Sequence, residues 1–434
     1  MSADDTGGAE AVSELDLLAL DRVLRAGELG GPTATSRRPP EVNAETLSEL
    51  RSNASDPLAV ALQPWVFRQL EKQTLAGERE AVSRAYRDAR HTVHEPEYAQ
   101  RSLSELFGAA LAERAVRGQH LQNFFSNASE LSSLTLRYWS ARVEFASSLA
   151  VSLDTWELAL PNVAEHAASW LSLSRDAFAE FGLQDPAQFL TAALAEDATR
   201  GWPSRLSLRG ISELLSDGRW FDGLELRIPV LPRAHGAASF LRGLAISGGA
   251  LSDATLSERV PFAFAGDPFC LQRHTWAALF AYLPLSPAFL RRKLGLGPSH
   301  LQDTLRALGR SILLESRVAA LRVLLRAPLL ASSARLLSAF AELSAQALGF
   351  DLPKAAALTF VRVHRDDAQR FLGMLYAAAR FEQLVQTHDD DWYRNPRAIA
   401  ELRQQAEEPL KPSVTSELAQ AGARDLYQRL SSLL

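Results

Sequence analysis

The chain has a single cysteine in 434 residues, Cys270. One thiol cannot form an intrachain disulfide, and it rules out a cysteine-cluster metal site. Lysine is scarce too: of 46 basic residues only Lys72, Lys293, Lys354 and Lys411 are lysines. No apolar run reaches the roughly 18 residues of a membrane-spanning helix, so no membrane partner is expected. The opening stretch, MSADDTGGAEAVSELD, is acidic and has no apolar segment, which argues against a secretory signal and for a cytoplasmic protein. The net charge of −5 provides no basic field, so no nucleic-acid partner is expected either. GxSxG, GxGxxG and GxxxxGK[ST] are absent, which leaves serine-nucleophile and phosphate-loop chemistry without support. HExxH is absent as well.

Leucine and alanine, by contrast, dominate an apolar content of 47%, and β-branched residues are thin. Both facts favour helix. The expected fold is mostly α, two-lobed, with at most a short strand pair near Leu224–Val230, where apolar and charged residues alternate. Residues 1–45 read as a flexible tail holding one short amphipathic helix over Leu15–Leu24, broken by Gly30-Gly31-Pro32 and by Ser36 to Pro40. Residues 46–200 read as an N-terminal helical lobe, and residues 201–434 as a second one. A helix from Ala237 is expected to end at Gly248-Gly249, a common C-cap pattern.

Few clusters carry chemistry. His91 and His94 stand three apart before Pro96, which suits a polar turn better than a metal site. His388-Asp389-Asp390-Asp391 lacks the glycine and spacing of a calcium loop. Arg306, Arg310 and Arg317 share a helix face, as do Arg322 and Arg326; the expectation is a solvated face with Glu315 as counter-ion, the alternative a groove for an anionic partner. Trp392 and Tyr393 are expected to plug a helix corner, with Asn395 capping the helix that begins at Pro396.

The order "GLELRIPVLP…ASFLRGLAISGGAL…PFAFAGDPF…RHTWAALFAYLPLSPAFLRRKLG", with the tail "HDDDWYRNPRAIAELR…TSELAQAGARDLYQRL", resembles a bacterial branch of the thimet-oligopeptidase-like zinc metallopeptidases over about residues 201–434. The resemblance implies a helical peptidase lobe with a substrate cleft. It places Leu241 and Arg242 where the first His and the Glu of HExxH would stand, and Ala245 where the second His would stand. The helix that would supply the third zinc ligand carries His274 or a neighbour, and the region of the transition-state tyrosines holds His364, Phe371 and Tyr376. Zinc hydrolysis needs imidazole ligands and a carboxylate base, which Leu, Arg and Ala cannot replace. The expectation is therefore a non-catalytic peptidase-like protein without cofactor. It would hold a peptide or protein segment in the former cleft, with Arg242, His274, His364 and Tyr376 lining it. Arg242 would pair with a carboxylate of a neighbouring helix or of a bound peptide. An active hydrolase with non-standard metal ligands, or a purely structural assembly subunit, is the alternative.

Overall fold

The computed structural model describes residues 16–29, 41–93, 100–153, 160, 162–198, 202, 208–226, 237–256, 259–407 and 415–434. These are mostly helical, as composition predicts. Among them the only sheet is His91–Thr92 paired antiparallel with Gln100–Arg101. The strand pair therefore lies elsewhere than expected. Leu224–Leu226 carry no strand, and the rest of Leu224–Val230 is outside the described residues. Alternation alone marks extended chain; a strand also needs a partner, and at 91–92 the partner is close in sequence. No helix among the described residues is long and apolar enough to cross a membrane.

By packing, the chain divides into two units, Met1–Gln73 with Ser257–Pro268, and Thr74–Leu256 with Phe269–Leu434. The expected boundary at 200/201 falls inside the second unit. Phe189, Leu190, Ala195 and Ala198 before it share one apolar cluster with Phe240, Leu241 and Leu244 after it. The amide of Ala238 also donates to the carbonyl of Leu194, at 3.2 Å.

The first unit contains α1 (Leu17–Leu29), α2 (Ala44–Ser52) and α3 (Pro57–Thr74). Here the structure differs from the flexible tail expected over 1–45, because α1 buries Ala19, Leu20 and Leu24. Asp21, also buried, accepts from the backbone amides of Phe262 (2.8 Å) and Ala263 (2.7 Å). Those amides open the short helix Phe262–Ala265 and would otherwise lack a helical partner. Glu28 pairs with Lys72 at 2.7 Å and Arg68 at 3.4 Å, tying α1 to α3. The rings of Trp65 and Phe262 lie 4.5 Å apart. A Cβ at Gly266 would fall 2.9 Å from each of them, so this turn needs its glycine.

In the second unit the helices used below are α4 (Ala76–Arg87), α5 (Leu103–Ala112), α6 (Arg117–Asn127), α7 (Ser129–Ser148), α8 (Val163–Leu173), α9 (Pro186–Ala193), α10 (Ala238–Ala254), α11 (Leu271–Tyr282), α12 (Pro298–Ala331), α13 (Ser333–Leu348), α14 (Asp367–His388), α15 (Pro396–Glu407) and α16 (Ser416–Ser431). Several begin as their sequences dictate. Ser102 and Glu105 form a reciprocal capping box on α5, and Asp185 caps α9 just ahead of Pro186. Helix α10, however, runs through Gly248-Gly249 to Ala254 rather than ending there. Glycine inside a helix costs about 1 kcal/mol relative to alanine. The compensation is close packing: a Cβ on Gly248 would meet the Trp276 carbonyl at 2.5 Å and the Phe280 ring at 2.9 Å. Gly373 allows α14 to cross α11 at His274, and Gly422 allows α16 to rest on the Leu375 carbonyl, where a Cβ would stand 2.0 Å away. These crossings set α10, α11, α14 and α16 backbone against backbone.

The arginines of α12 do not form one solvated face. Arg317 and Arg326 are buried, and Glu315 pairs with Arg370 of α14 rather than with an arginine of its own helix. The helix is 34 residues long and packs against α8, α9, α13 and α14, so most of its circumference is covered. Trp392 and Tyr393 are buried as expected, and Asn395 Oδ1 accepts from the Arg397 amide at 3.0 Å.

Candidate functional site: a cavity with a charged wall

Single faces of four helices converge on one cavity of about 750 Å³, contained in the second unit. From α10 come Leu241, Arg242, Ala245 and Gly249, and from α11 His274, Ala277, Ala278 and Ala281. From α12 come Ser311, Glu315, Val318 and Arg322, and from α14 Arg370 and Met374. Each set follows the three- and four-residue steps that align side chains on one side of a helix. The segment before α14 adds Phe360, Val361, Arg362, His364 and Asp366. An apolar part of the wall comes from Phe107, Phe124 and Phe189, with Tyr86 and Leu190. Phe360 joins it, its ring 5.8 Å from Phe189 and 6.3 Å from Phe107.

The charged part is organised around two pairs. Arg370 Nη2 donates to Glu315 Oε1, and His274 Nε2 donates to Asp366 Oδ2 at 2.8 Å. Burial would raise the Glu315 carboxyl, but Arg370, then Arg242 and Arg322, hold it below its usual range. Burial likewise opposes ionisation of Asp366, and the His274 hydrogen bond overrides it, keeping this carboxyl well below normal. His364 goes the other way: desolvation, then the charge of Arg322, pushes it down to about 4, so it is neutral at pH 7. Its side chain still reaches solvent, as do those of Arg242 and Glu315. All three line the cavity, so each can be surrounded by protein and still touch water there. Behind the wall, fully covered Asp367 accepts from the His364 amide at 2.6 Å, and burial raises its carboxyl to about 7.

Of the residues singled out from the sequence, Arg242, His274 and His364 line this cavity, and so do Leu241 and Ala245. Tyr376 does not. It is buried, and its hydroxyl has no hydrogen-bond partner among the described residues. Arg370 and Met374 occupy the lining face of α14, and two further residues rotate Tyr376 about 200° from Met374. The sequence places Glu315 and Arg322 on a solvated face and carries no signal for Arg362, Asp366 or Arg370. Spacing hinted at the first pair: Ser311, Glu315, Val318 and Arg322 form one stripe, and Leu313, Leu314, Leu321 and Leu325 occupy other sides.

The donor set does not fit zinc. A zinc site takes at least three protein ligands. Leu241, Arg242 and Ala245 offer none, and His274 with Asp366 makes only a pair. Among the described residues no three His, Cys, Asp or Glu side chains come together as a ligand group. His94 and His235 lie outside those residues.

No protein-family model matches the chain, and no curated protein does. Solved structures do. One is a protein from Chlamydophila abortus assigned as a peptidase (13% identity, 90% of this chain, 81% of that one, TM-score 0.52). Another is PZ peptidase A with an inhibitor (10% identity, 89% and 79%, TM-score 0.53). A third, from Bacillus anthracis, is assigned as an oligoendopeptidase F (9% identity, 89% and 78%, TM-score 0.51). The fold is peptidase-like. At these identities the likeness concerns fold alone, and it extends over both units instead of the C-terminal half in which the sequence resemblance was read.

Proposed function

We propose that this chain is a non-catalytic, peptidase-like protein that holds a peptide or protein segment in the cavity of its second unit. One observation carries the reading: Leu241, Arg242 and Ala245 occupy the cavity wall, in the places the sequence resemblance gives to HExxH. None of the three can bind a metal, and a guanidinium cannot accept a proton from water. The peptidase-like fold and a volume within the roughly 300–1,000 Å³ of ligand pockets support a retained binding role.

The test is elemental analysis of the purified full chain, together with incubation with a mixed oligopeptide library. We expect well under one zinc per chain and no cleavage products, with library peptides retained on the immobilised protein. About one zinc per chain after dialysis, or cleavage that a chelator abolishes, would overturn the reading, because well-formed zinc sites hold metal tightly.

A further inference from the structure

The cavity wall carries five arginines, Arg242, Arg273, Arg322, Arg362 and Arg370, against two carboxylates, Glu315 and Asp366. With neutral histidines its formal charge is +3, inside a chain whose net charge is −5. Arg370 is matched by Glu315, and Arg273 lies 3.6 Å from Asp253. Arg242 and Arg362 have no hydrogen bond or ion pair with any described residue. Arg362 does lie over the Tyr86 ring, 5.2 Å from its centroid. Arg322 donates its Nε to the Val361 carbonyl and has no carboxylate at ion-pair distance among the described residues. Asp367 and Glu315 attract it at longer range, and burial pushes the Asp367 carboxyl up.

Three guanidiniums thus share one cavity without a carboxylate of their own. Converging cations repel one another unless an anion joins them. The backbone adds a separate sign. Arg362 has φ +49°, a left-handed conformation that residues other than glycine adopt only at a cost. The chain holds this strain at the residue that lays an arginine on the wall. The same arginines bear on His364: after desolvation it is pushed down by Arg322, with Asp366 opposing and Arg362 and Arg370 adding to the push. Beside the charges stands the apolar wall of Phe107, Phe124, Phe189 and Phe360.

We infer that the cavity binds a carboxylate attached to an apolar body, with Arg242, Arg322 and Arg362 holding the carboxylate and the phenylalanines its apolar portion. The source that fits the proposed function, on which this choice of source rests, is the free C-terminus of an apolar peptide. An acyl-chain carboxylate offers the same chemistry. Guanidiniums bind carboxylates through paired, charge-assisted hydrogen bonds, which a neutral amide cannot reproduce.

The experiment is calorimetric titration of the full chain with four probes. They are N-acetylated Phe-Leu-Ala-Leu with a free C-terminus, the same peptide as its C-terminal amide, octanoate, and inorganic phosphate. We expect the free acid to bind at least tenfold tighter than the amide, and more weakly as sodium chloride is raised. Arg242→Gln and Arg362→Gln should each weaken the acid at least fivefold and leave the amide unchanged. Both variants should melt close to the parent, since neither arginine has a hydrogen bond or a close ion pair to lose among the described residues, only the longer-range attraction of Arg242 to Glu315 and the contact of Arg362 with the Tyr86 ring. Equal binding of acid and amide would overturn this inference while leaving a peptide-binding cavity intact. Binding of octanoate without either peptide would keep the carboxylate site and reject the peptide. Phosphate binding as tightly as the acid would reject the apolar body, and binding of no probe would reject both readings.

Discussion

Arg317 offers the sharpest test of how the second unit is held together. Only 1% exposed, it has no carboxylate at ion-pair distance among the described residues. Its Nε donates to the Ala347 carbonyl (2.8 Å), Nη2 to the Gln346 carbonyl (2.7 Å), and Nη1 to the Leu171 carbonyl (3.0 Å) and Ser174 Oγ (2.6 Å). Ala347 and Gln346 lie in the last turn of α13, and Leu171 in the last turn of α8. Two helix C-termini, each with carbonyls that have no helical partner and a partial negative charge, replace a counter-ion. The guanidinium also covers the Phe178 ring at 4.2 Å. Burial lowers its pKa to about 10, far enough above neutrality for it to stay charged. Arg317→Met keeps the volume and strands three carbonyls, each at about 1–3 kcal/mol. Relief from burying the charge offsets part of that, so the expected loss is about 3 kcal/mol. Arg317→Lys retains the charge but not the fork, and should fall between. The assay is urea unfolding followed by tryptophan fluorescence; Trp170 is buried at this junction and donates to Ser316 Oγ at 3.1 Å. A methionine variant within about 1 kcal/mol of the parent, or a lysine variant less stable than methionine, would refute the argument.

Two further outcomes follow from buried acids. Asp367, raised from 3.8 to about 7, binds its proton more readily folded than unfolded, so its contribution to stability falls as pH rises from about 4 to 7. His364, lowered from 6.5 to about 4, contributes in the opposite sense over an overlapping window. Asp367→Asn keeps an acceptor for the His364 amide, so the stability of the parent minus that of the variant should drop by about 1–3 kcal/mol between pH 4.5 and 7.5; a pH-independent difference contradicts the assignment. In the first unit, Asp21→Ala leaves the amides of Phe262 and Ala263 without their acceptor, and should cost about 2–4 kcal/mol there. Hydrogen exchange at those two amides should accelerate, and unchanged protection would mean that the carboxylate is dispensable.

The fold class was legible because composition and periodicity report helix directly, and because caps such as Ser102 with Glu105, or Asp185 before Pro186, act locally. The corner at Trp392 and Tyr393 was legible for the same reason. The end of α10 was not. Gly248-Gly249 reads locally as a cap, and only the approach of Trp276 and Phe280 shows why a helix continues through it. The helix near Leu17–Leu29 is legible from its amphipathic pattern, but its anchoring is not, because Asp21 serves amides far along the chain, at 262 and 263. The division of units was missed likewise: residues 257–268 join a unit whose other members end at Gln73.

The arginines of α12 show why the site was the least legible part. Arg317, Arg322 and Arg326 lie within ten residues on one helix and have the same intrinsic chemistry. Arg317 closes two helix ends, Arg322 lines the cavity, and Arg326 is buried with a bond to the Arg365 carbonyl at 3.1 Å. What separates them is the rotational phase of the helix relative to its neighbours. Five residues from Arg317 to Arg322 turn the side chain by about 140°, from the side facing α8 and α13 to the side facing the cavity. No property of either residue encodes that phase. It is set by how closely the surrounding helices approach, and at α10, α11 and α14 that approach is governed by Gly248 and Gly373, which carry no side chain to read. A charged stripe on a long, mostly covered helix is therefore weak evidence for a solvated face. When the helix has neighbours on several sides, the same stripe can line an internal site, and the partners of each guanidinium decide which.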